Sequence, residues 1–149
     1  MENIELISNK LRQIVHLYNR SLSKELSALP VNHHLEVLLV LTQQKEPIMQ
    51  NKLAAILQID KSRMTNIIFE LEEQNLVEVK RNPEDRRQHY VTLLPDAWKY
   101  IPDIAKKVQQ VNELVKTGIN EEKLDTFFEV SELIRQNLVR IETKNLKNH

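Results

Sequence analysis

The apolar period of this chain changes twice, and each change constrains the fold. Up to Asn75, apolar residues recur at three- and four-residue steps, the spacing of one helix face. After Asn75 the period drops to two. Val77 and Val79 alternate with Glu78 and Lys80, and Val91 and Leu93 alternate with Tyr90 and Thr92. From about Asp96 the helical period returns. The pattern predicts a mainly α-helical chain with a small two-stranded β-hairpin. The polar segment Asn82-Pro83-Glu84-Asp85-Arg86-Arg87 joins the two strands and gives the hairpin a charged tip.

The helices have readable limits. A first long helix runs roughly from Ile4 to Leu26, with Leu11, Ile14, Val15, Tyr18, Leu22 and Leu26 on one face. Leu29-Pro30 breaks it. Asn32 is a suitable N-cap for a second helix, whose Leu35 and Val37 to Leu41 are apolar nearly all round and therefore central. Lys45-Glu46-Pro47 closes that helix. A short helix from about Gln50 to Leu57 turns inward Leu53, Ala54 and Leu57. After a tight connection at Gln58-Ile59, Asp60 caps a longer helix, about Lys61 to Gln74, with Met64, Ile67, Ile68 and Leu71 inward. Asn75 stops it, since Asn tolerates the left-handed conformation that helix ends favour. Beyond the hairpin, one helix carries Ile101, Ile104, Val108, Val111 and Val115 and ends near Thr117-Gly118. The last starts near Asn120 and aligns Leu124, Phe127, Phe128, Ile134, Leu138 and Ile141.

Composition removes several classes of function. Cysteine is absent, which excludes disulfides, thiolate metal sites and a cysteine redox switch. The first residues include Glu2 and Glu5 and lack the basic start and apolar run of a secretory signal. The longest aliphatic run, Val37 to Leu41, is far too short to span a membrane. A cytoplasmic protein is expected. The chain has no Gly-rich phosphate loop and no nucleophile with a partner at readable spacing, so an enzyme is not expected. Formal net charge is zero, so any polyanionic partner must be met by locally placed cations.

The helix pair followed by a charged hairpin has the order of a winged helix-turn-helix. A helix that reads the major groove buries one face and keeps the other polar. With Met64 at the centre of the buried face, Ser62, Asn66 and Phe69 point outward, and Arg63 and Thr65 lie on the flanks. Lys61 and Ser62 sit at the helix N-terminus, where backbone N–H groups favour a phosphate. The hairpin brings Lys80, Arg81, Arg86 and Arg87 together, and a projecting arginine suits a narrow minor groove. The solvated helix face and the solvated β-turn are the plain alternatives. Acids match the cations: Asp60, Glu70, Glu72, Glu73, Glu78, Glu84 and Asp85 fall in the same stretch, so only cation placement favours DNA.

These residues resemble a known family. Arg81 to Leu93, RNPEDRRQHYVTL, is similar to the wing of the multiple antibiotic resistance regulator (MarR) family, in which a D-x-R core precedes a strand ending in Leu-Thr. Asp85, Arg87 and Leu93 match. Lys52 to Val79, KLAAILQIDKSRMTNIIFELEEQNLVEV, resembles the family's helix-turn-helix in Leu53-Ala54, Ile59-Asp60-Lys61-Ser62 and Leu71. Leu94 stands where the family usually has Thr, and Asn75 and Ala97 replace two customary glycines. Met49 takes a helix-start position often held by Ser or Thr, which predicts a poor cap. The flanking helices match only by length and pattern.

The resemblance implies a winged helix-turn-helix flanked by dimerisation helices. The chain would be a single domain over 1–149, with the DNA-binding lobe at 30–95 and a helical dimerisation region at 1–29 and 96–149. It implies a ligand-responsive repressor that binds double-stranded DNA sequence-specifically as a homodimer, with a small-molecule effector between the dimer helices and the lobe. Arg87 takes the minor-groove role and Asp85 supports it. Ser62, Arg63, Thr65 and Asn66 take the recognition-helix role. Lys61, Arg81 and Arg86 complete the expected DNA contacts. No cofactor is expected. The rival readings are a winged-helix module that binds protein without DNA, and a metal-dependent sensor built on some of His16, His33, His34, His89 and His149. Adjacent His33 and His34 diverge by about 100° on a helix and rarely share an ion. Trp98 and Tyr100 are expected to pack against the lobe.

Overall fold

A computed structural model of the chain describes residues 6–29 and 34–148. The expected N-cap Asn32, the break at Pro30, the helix start at Ile4, and His33 and His149 lie outside the described residues. In chain order the elements are α1 (Ile7–Leu26), α2 (Leu35–Thr42), β1 (Ile48–Met49), α3 (Gln50–Leu57), α4 (Lys61–Glu73), β2 (Val77–Arg81), β3 (His89–Leu93), α5 (Pro95–Val115) and α6 (Glu121–Lys147). The chain divides into two compact units, Met1–Gln109 and Gln110–His149.

The first unit is organised around one apolar cluster. Leu26 of α1, Leu38 of α2, Leu53 of α3, Met64 and Leu71 of α4, Leu76, Val91 of β3 and Ile104 of α5 are all buried in it. Fully burying a side chain of this size stabilises a fold by about 1.5–3 kcal/mol. Tyr100 packs against the same cluster, as expected, while Trp98 is about half exposed and borders a shallow cleft with Pro47, Val91 and Leu93. Within α4 the period-3.6 reading holds, since Met64, Ile67, Ile68 and Leu71 are the buried residues.

The hairpin is part of a larger sheet than the sequence indicates. Strands run antiparallel in the order β1-β3-β2, so the expected two-stranded hairpin is present and a third strand joins it along β3. In the hairpin Val79 faces Val91 and Val77 faces Leu93, the register that puts both buried valines on the core side. The added strand pairs Ile48 with Val91 and Met49 with Tyr90. Two residues show no alternation, and Pro47 just before them reads as a break. Only the pairing with β3 reveals the strand. Met49 also precedes α3 without a side-chain cap, the poor start expected from its type.

The turns that aim α4 rest on left-handed residues other than glycine. Gln58 (φ 53) ends α3, and Asn75 (φ 59) ends α4. At each site the two following amides fold back on the helix. Ile59 N–H donates to Ala54 C=O at 3.0 Å and Gln58 N–H to Ala55 C=O at 3.3 Å. Leu76 N–H donates to Leu71 C=O and Asn75 N–H to Glu72 C=O, both at 2.9 Å. This paired pattern satisfies carbonyls that a helix end otherwise leaves open. Asn75 does more than turn. Its side-chain amide donates to Asp96 Oδ2 at 2.9 Å, which ties the end of α4 to the start of α5.

The second unit is dominated by α6. Asn120 caps it, its side chain accepting from Lys123 N–H at 2.8 Å. No residue of α6 is buried, and Phe127, Phe128, Leu133, Leu138 and Ile141 are all at least half exposed. Phe127 and Phe128 meet edge to face at 5.4 Å. Glu132 takes hydrogen bonds from Arg135 and Gln136, which hold its carboxyl down at about 2.

The Asn75 arrangement sets an expectation. Asn75→Ala places a Cβ-bearing residue without polar compensation in the left-handed region and should cost about 1–2 kcal/mol in urea unfolding. Asn75→Gly keeps the conformation and should cost less. The hydrogen bond from Asn75, with a smaller contribution from Lys99, holds the Asp96 carboxyl below its ordinary value. A depressed carboxyl stabilises the fold above its unfolded value, and that contribution fades as pH falls through the folded one. Asn75→Gly should therefore raise the Asp96 midpoint in an NMR titration. An unchanged midpoint would show that the contact is not made in solution.

Candidate nucleic-acid interface

The candidate surface begins with the N-terminus of α4. Asp60 accepts from Arg63 N–H at 2.8 Å, so the first turn is closed by a side chain in the way the sequence indicates. Lys61, Ser62, Arg63, Thr65 and Asn66 are all exposed, on the side away from Met64. Ser62 and Asn66 share one outward stripe. Lys61 and Thr65 lie on one flank of it, and Arg63 and Glu70 on the other.

The two flanks face different neighbours. On the first, Lys61 and Thr65 join Arg87, Gln88 and His89 of the wing and Gln50 and Asn51 of α3 around an open cleft of about 240 Å³. α4, α3 and the wing thus present cations and amides to a common space. Thr65 is itself committed here. Its hydroxyl donates to Lys61 C=O at 2.9 Å and accepts from the Gln50 side-chain amide at 3.1 Å. It braces α3 against α4, and its proton is not available to a base. On the second flank, Arg63 lines a separate cleft of about 260 Å³ with Asn19 and Ser23 of α1 and Glu36 of α2. The structure therefore brings Lys61, Thr65 and Arg87 together and sets Arg63 apart from them. His34, at the left-handed start of α2, pairs with Glu70, which anchors this flank to the second helix. Glu36 also acts at a distance on Tyr18, whose phenol is raised first by burial and then by that carboxylate.

The wing is internally built. Asn82 N–H donates to Gln88 C=O at 2.9 Å, and the Asn82 and Gln88 side chains bond at 2.8 Å. Glu84 N–H donates to Asn82 Oδ1 at 3.0 Å. Asp85 reaches Arg87 through the backbone: its carboxylate accepts from Arg87 N–H at 3.0 Å, and its carbonyl accepts from Gln88 N–H at 3.0 Å. Among the described residues no ion pair joins the Asp85 carboxylate to the Arg87 guanidinium. Asp85 thus shapes the turn that carries Arg87 and leaves its guanidinium outside an ion pair with that carboxylate. Arg81, Arg86 and Arg87 are exposed, whereas Lys80 is drawn to Glu78 at 3.6 Å.

Sequence reasoning did not find Gln50, Asn51 and His89 as members of this surface. His89 could have been located, because strand register counted back from Val91 sets it opposite Arg81. Gln50 and Asn51 carry no local signal; the pairing of β1 with β3 sets them beside the wing, and the packing of α3 on α4 sets them beside Thr65. Among the described residues no group of three His, Asp or Glu side chains is placed to hold a metal ion.

Comparison with known proteins shows what the chain is similar to. No curated protein sequence matches the chain. Solved structures do. The crystal structure of MarR is 22% identical, with a TM-score of 0.75 over 91% of this chain and 99% of that one. A MarR-family transcriptional regulator from Listeria monocytogenes, complexed with 26mer DNA, is 18% identical with a TM-score of 0.79 over 91% of this chain and 90% of that one. Bordetella bronchiseptica BpsR, described for the regulation of its DNA binding by 6-hydroxynicotinic acid, is 18% identical with a TM-score of 0.78 over 91% and 96%. Such identities establish the fold. The sequence itself matches the MarR family model over residues 33–89, from the approach to α2 through the wing loop. Family model and fold agree: residues 33–89 match the MarR family model, and the chain shares the fold of the solved MarR-family regulators.

Proposed function

We propose that the protein is a transcriptional regulator that binds double-stranded DNA sequence-specifically as a homodimer and acts as a ligand-responsive repressor. The observation that carries this reading is the shared cleft of Lys61, Thr65 and Arg87 beside the first turn of α3. A helix N-terminus, a lysine and a wing arginine around one space suit a phosphodiester backbone that runs from major into minor groove. The Listeria relative was solved in complex with DNA, which supports duplex DNA as the partner. Ser62 and Asn66 would meet base edges, Lys61, Arg81 and Arg86 the backbone, and Arg87 the minor groove. Arg63 would reach the duplex from its separate flank. Thr65 would act mainly by holding α3 and α4 in register.

The dimer reading rests on uncovered apolar faces. Leu11, Ile14 and Val15 of α1 and the aromatic and aliphatic stripe of α6 are exposed in the single chain. The helical regions 1–29 and 96–149 would join two copies, and the lobes at 30–95 would meet two half-sites about one helical turn apart. No helix among the described residues is long and apolar enough to cross a membrane, which fits a cytoplasmic regulator.

Three outcomes are expected. Arg87→Ala should weaken binding to a duplex enriched from a random pool more than Arg86→Ala, and should relax preference for A·T-rich flanks. Arg86→Ala should act evenly across sequences and lower the salt slope by roughly one unit. Equal losses in gel shift, with no change in preference, would reduce the wing to a generic basic patch.

Sedimentation should give a dimer at micromolar concentration. A stable monomer would leave the apolar faces of α1 and α6 unexplained and refute the dimer.

A small effector, as named for BpsR, should raise the melting temperature and release DNA together. A screen of aromatic acids in which no compound does both would count against ligand control.

A further inference from the structure

Phe69 lies on the face of α4 that the fold leaves open. It is 60% exposed, although the inner face of the helix is complete without it. Folding gives no reason for an aromatic residue there, since Met64, Ile67, Ile68 and Leu71 already fill the core side. Counting about 100° per residue, Ser62, Asn66 and Phe69 fall within a stripe about 60° wide, opposite the buried residues. The stripe therefore offers a hydroxyl, an amide and then an aromatic ring, in order along the axis. From Ser62 to Phe69 the helix rises about 10 Å, close to three base-pair steps.

The charge pattern marks where this stripe ends. Lys61 and Arg63 flank its beginning, and Glu70, Glu72 and Glu73 lie at and beyond Phe69. Phosphates are attracted to the first part and repelled past the ring. Phe69 is thus the last residue of the stripe that approaches a duplex closely. The edge of a base pair in the major groove offers one apolar group, the C5-methyl of thymine, and an aromatic ring is a suitable partner for it.

We infer that Phe69 is a specificity-determining residue that selects thymine in the operator by packing on its methyl group. The assignment rests on the DNA-binding reading above and extends it to a base identity. Ser62 and Asn66 supply hydrogen bonds, and Phe69 supplies an apolar contact that no other residue of the stripe makes.

The test removes the methyl without altering the pairing edge. Wild-type protein enriches a duplex from a random-sequence pool. That duplex, and a copy with uracil in place of every thymine, are titrated at one salt concentration against wild type, Phe69→Ala and Phe69→Leu. Wild type should favour the thymine duplex by about fourfold for each methyl buried. Phe69→Ala should bind both duplexes alike while its circular dichroism matches wild type, and Phe69→Leu should retain part of the preference. The same thymine preference in wild type and Phe69→Ala overturns the inference, and so does a wild type indifferent to the methyl. A wild type that enriches no duplex at all overturns the DNA-binding reading, and the role of Phe69 with it.

Discussion

The burial of one face of α4 governs the rest of the first unit. Met64 and Leu71 are wholly inaccessible, and Ile67 and Ile68 nearly so. A helix fixed by four such residues cannot rotate without exposing them. Its opposite face is then determined, because side-chain direction follows the 3.6-residue period. The outward display of Ser62, Asn66 and Phe69 is a consequence of where Met64 points. A polar or shorter residue at Met64 would alter the outward face from behind, without touching any side chain on it.

Turns convert that burial into a shape. With Gly118 its single glycine, the chain uses Gln58 and Asn75 where a left-handed residue is required. Gln58 offsets part of the conformational cost through its side-chain amide, which donates to Ala55 C=O at 2.9 Å. Asn75 does so through Asp96. Gln58 bonds back onto the helix it ends, whereas Asn75 makes its turn and also secures a neighbouring element, a second duty glycine cannot perform. The spacing between α3 and α4 and the entry into β2 depend on these two residues.

Electrostatics enters after geometry. The chain has no net charge, and the lobe carries about as many acids as bases. Several cations are internally engaged, as Lys80 is with Glu78. What distinguishes the candidate surface is that Lys61 and Arg87, far apart in sequence, share one cleft. Two exposed cations brought together repel each other and add nothing to stability. Their arrangement matters for the field they direct at a partner, and that field falls off within a Debye length, ~8 Å at physiological salt.

Much of this was legible in the sequence because it depends on local period and local turn chemistry. The extents of α3 and α4, the cap at Asp60, the stop at Asn75 and the hairpin register all follow from residues within a few positions of one another. The strand Ile48–Met49 was not legible, since two residues have no period and exist as a strand only through Val91 and Tyr90. Nor were the bracing of Thr65 by Gln50, the backbone route by which Asp85 supports Arg87, or the separation of Arg63 from Lys61. By itself the sequence determined which faces are apolar, where helices begin and end, and which side chains are available at the surface. Only the tertiary structure decided which of those side chains share a space, because proximity between distant segments is set by how buried faces pack, and packing is not a property of any one segment.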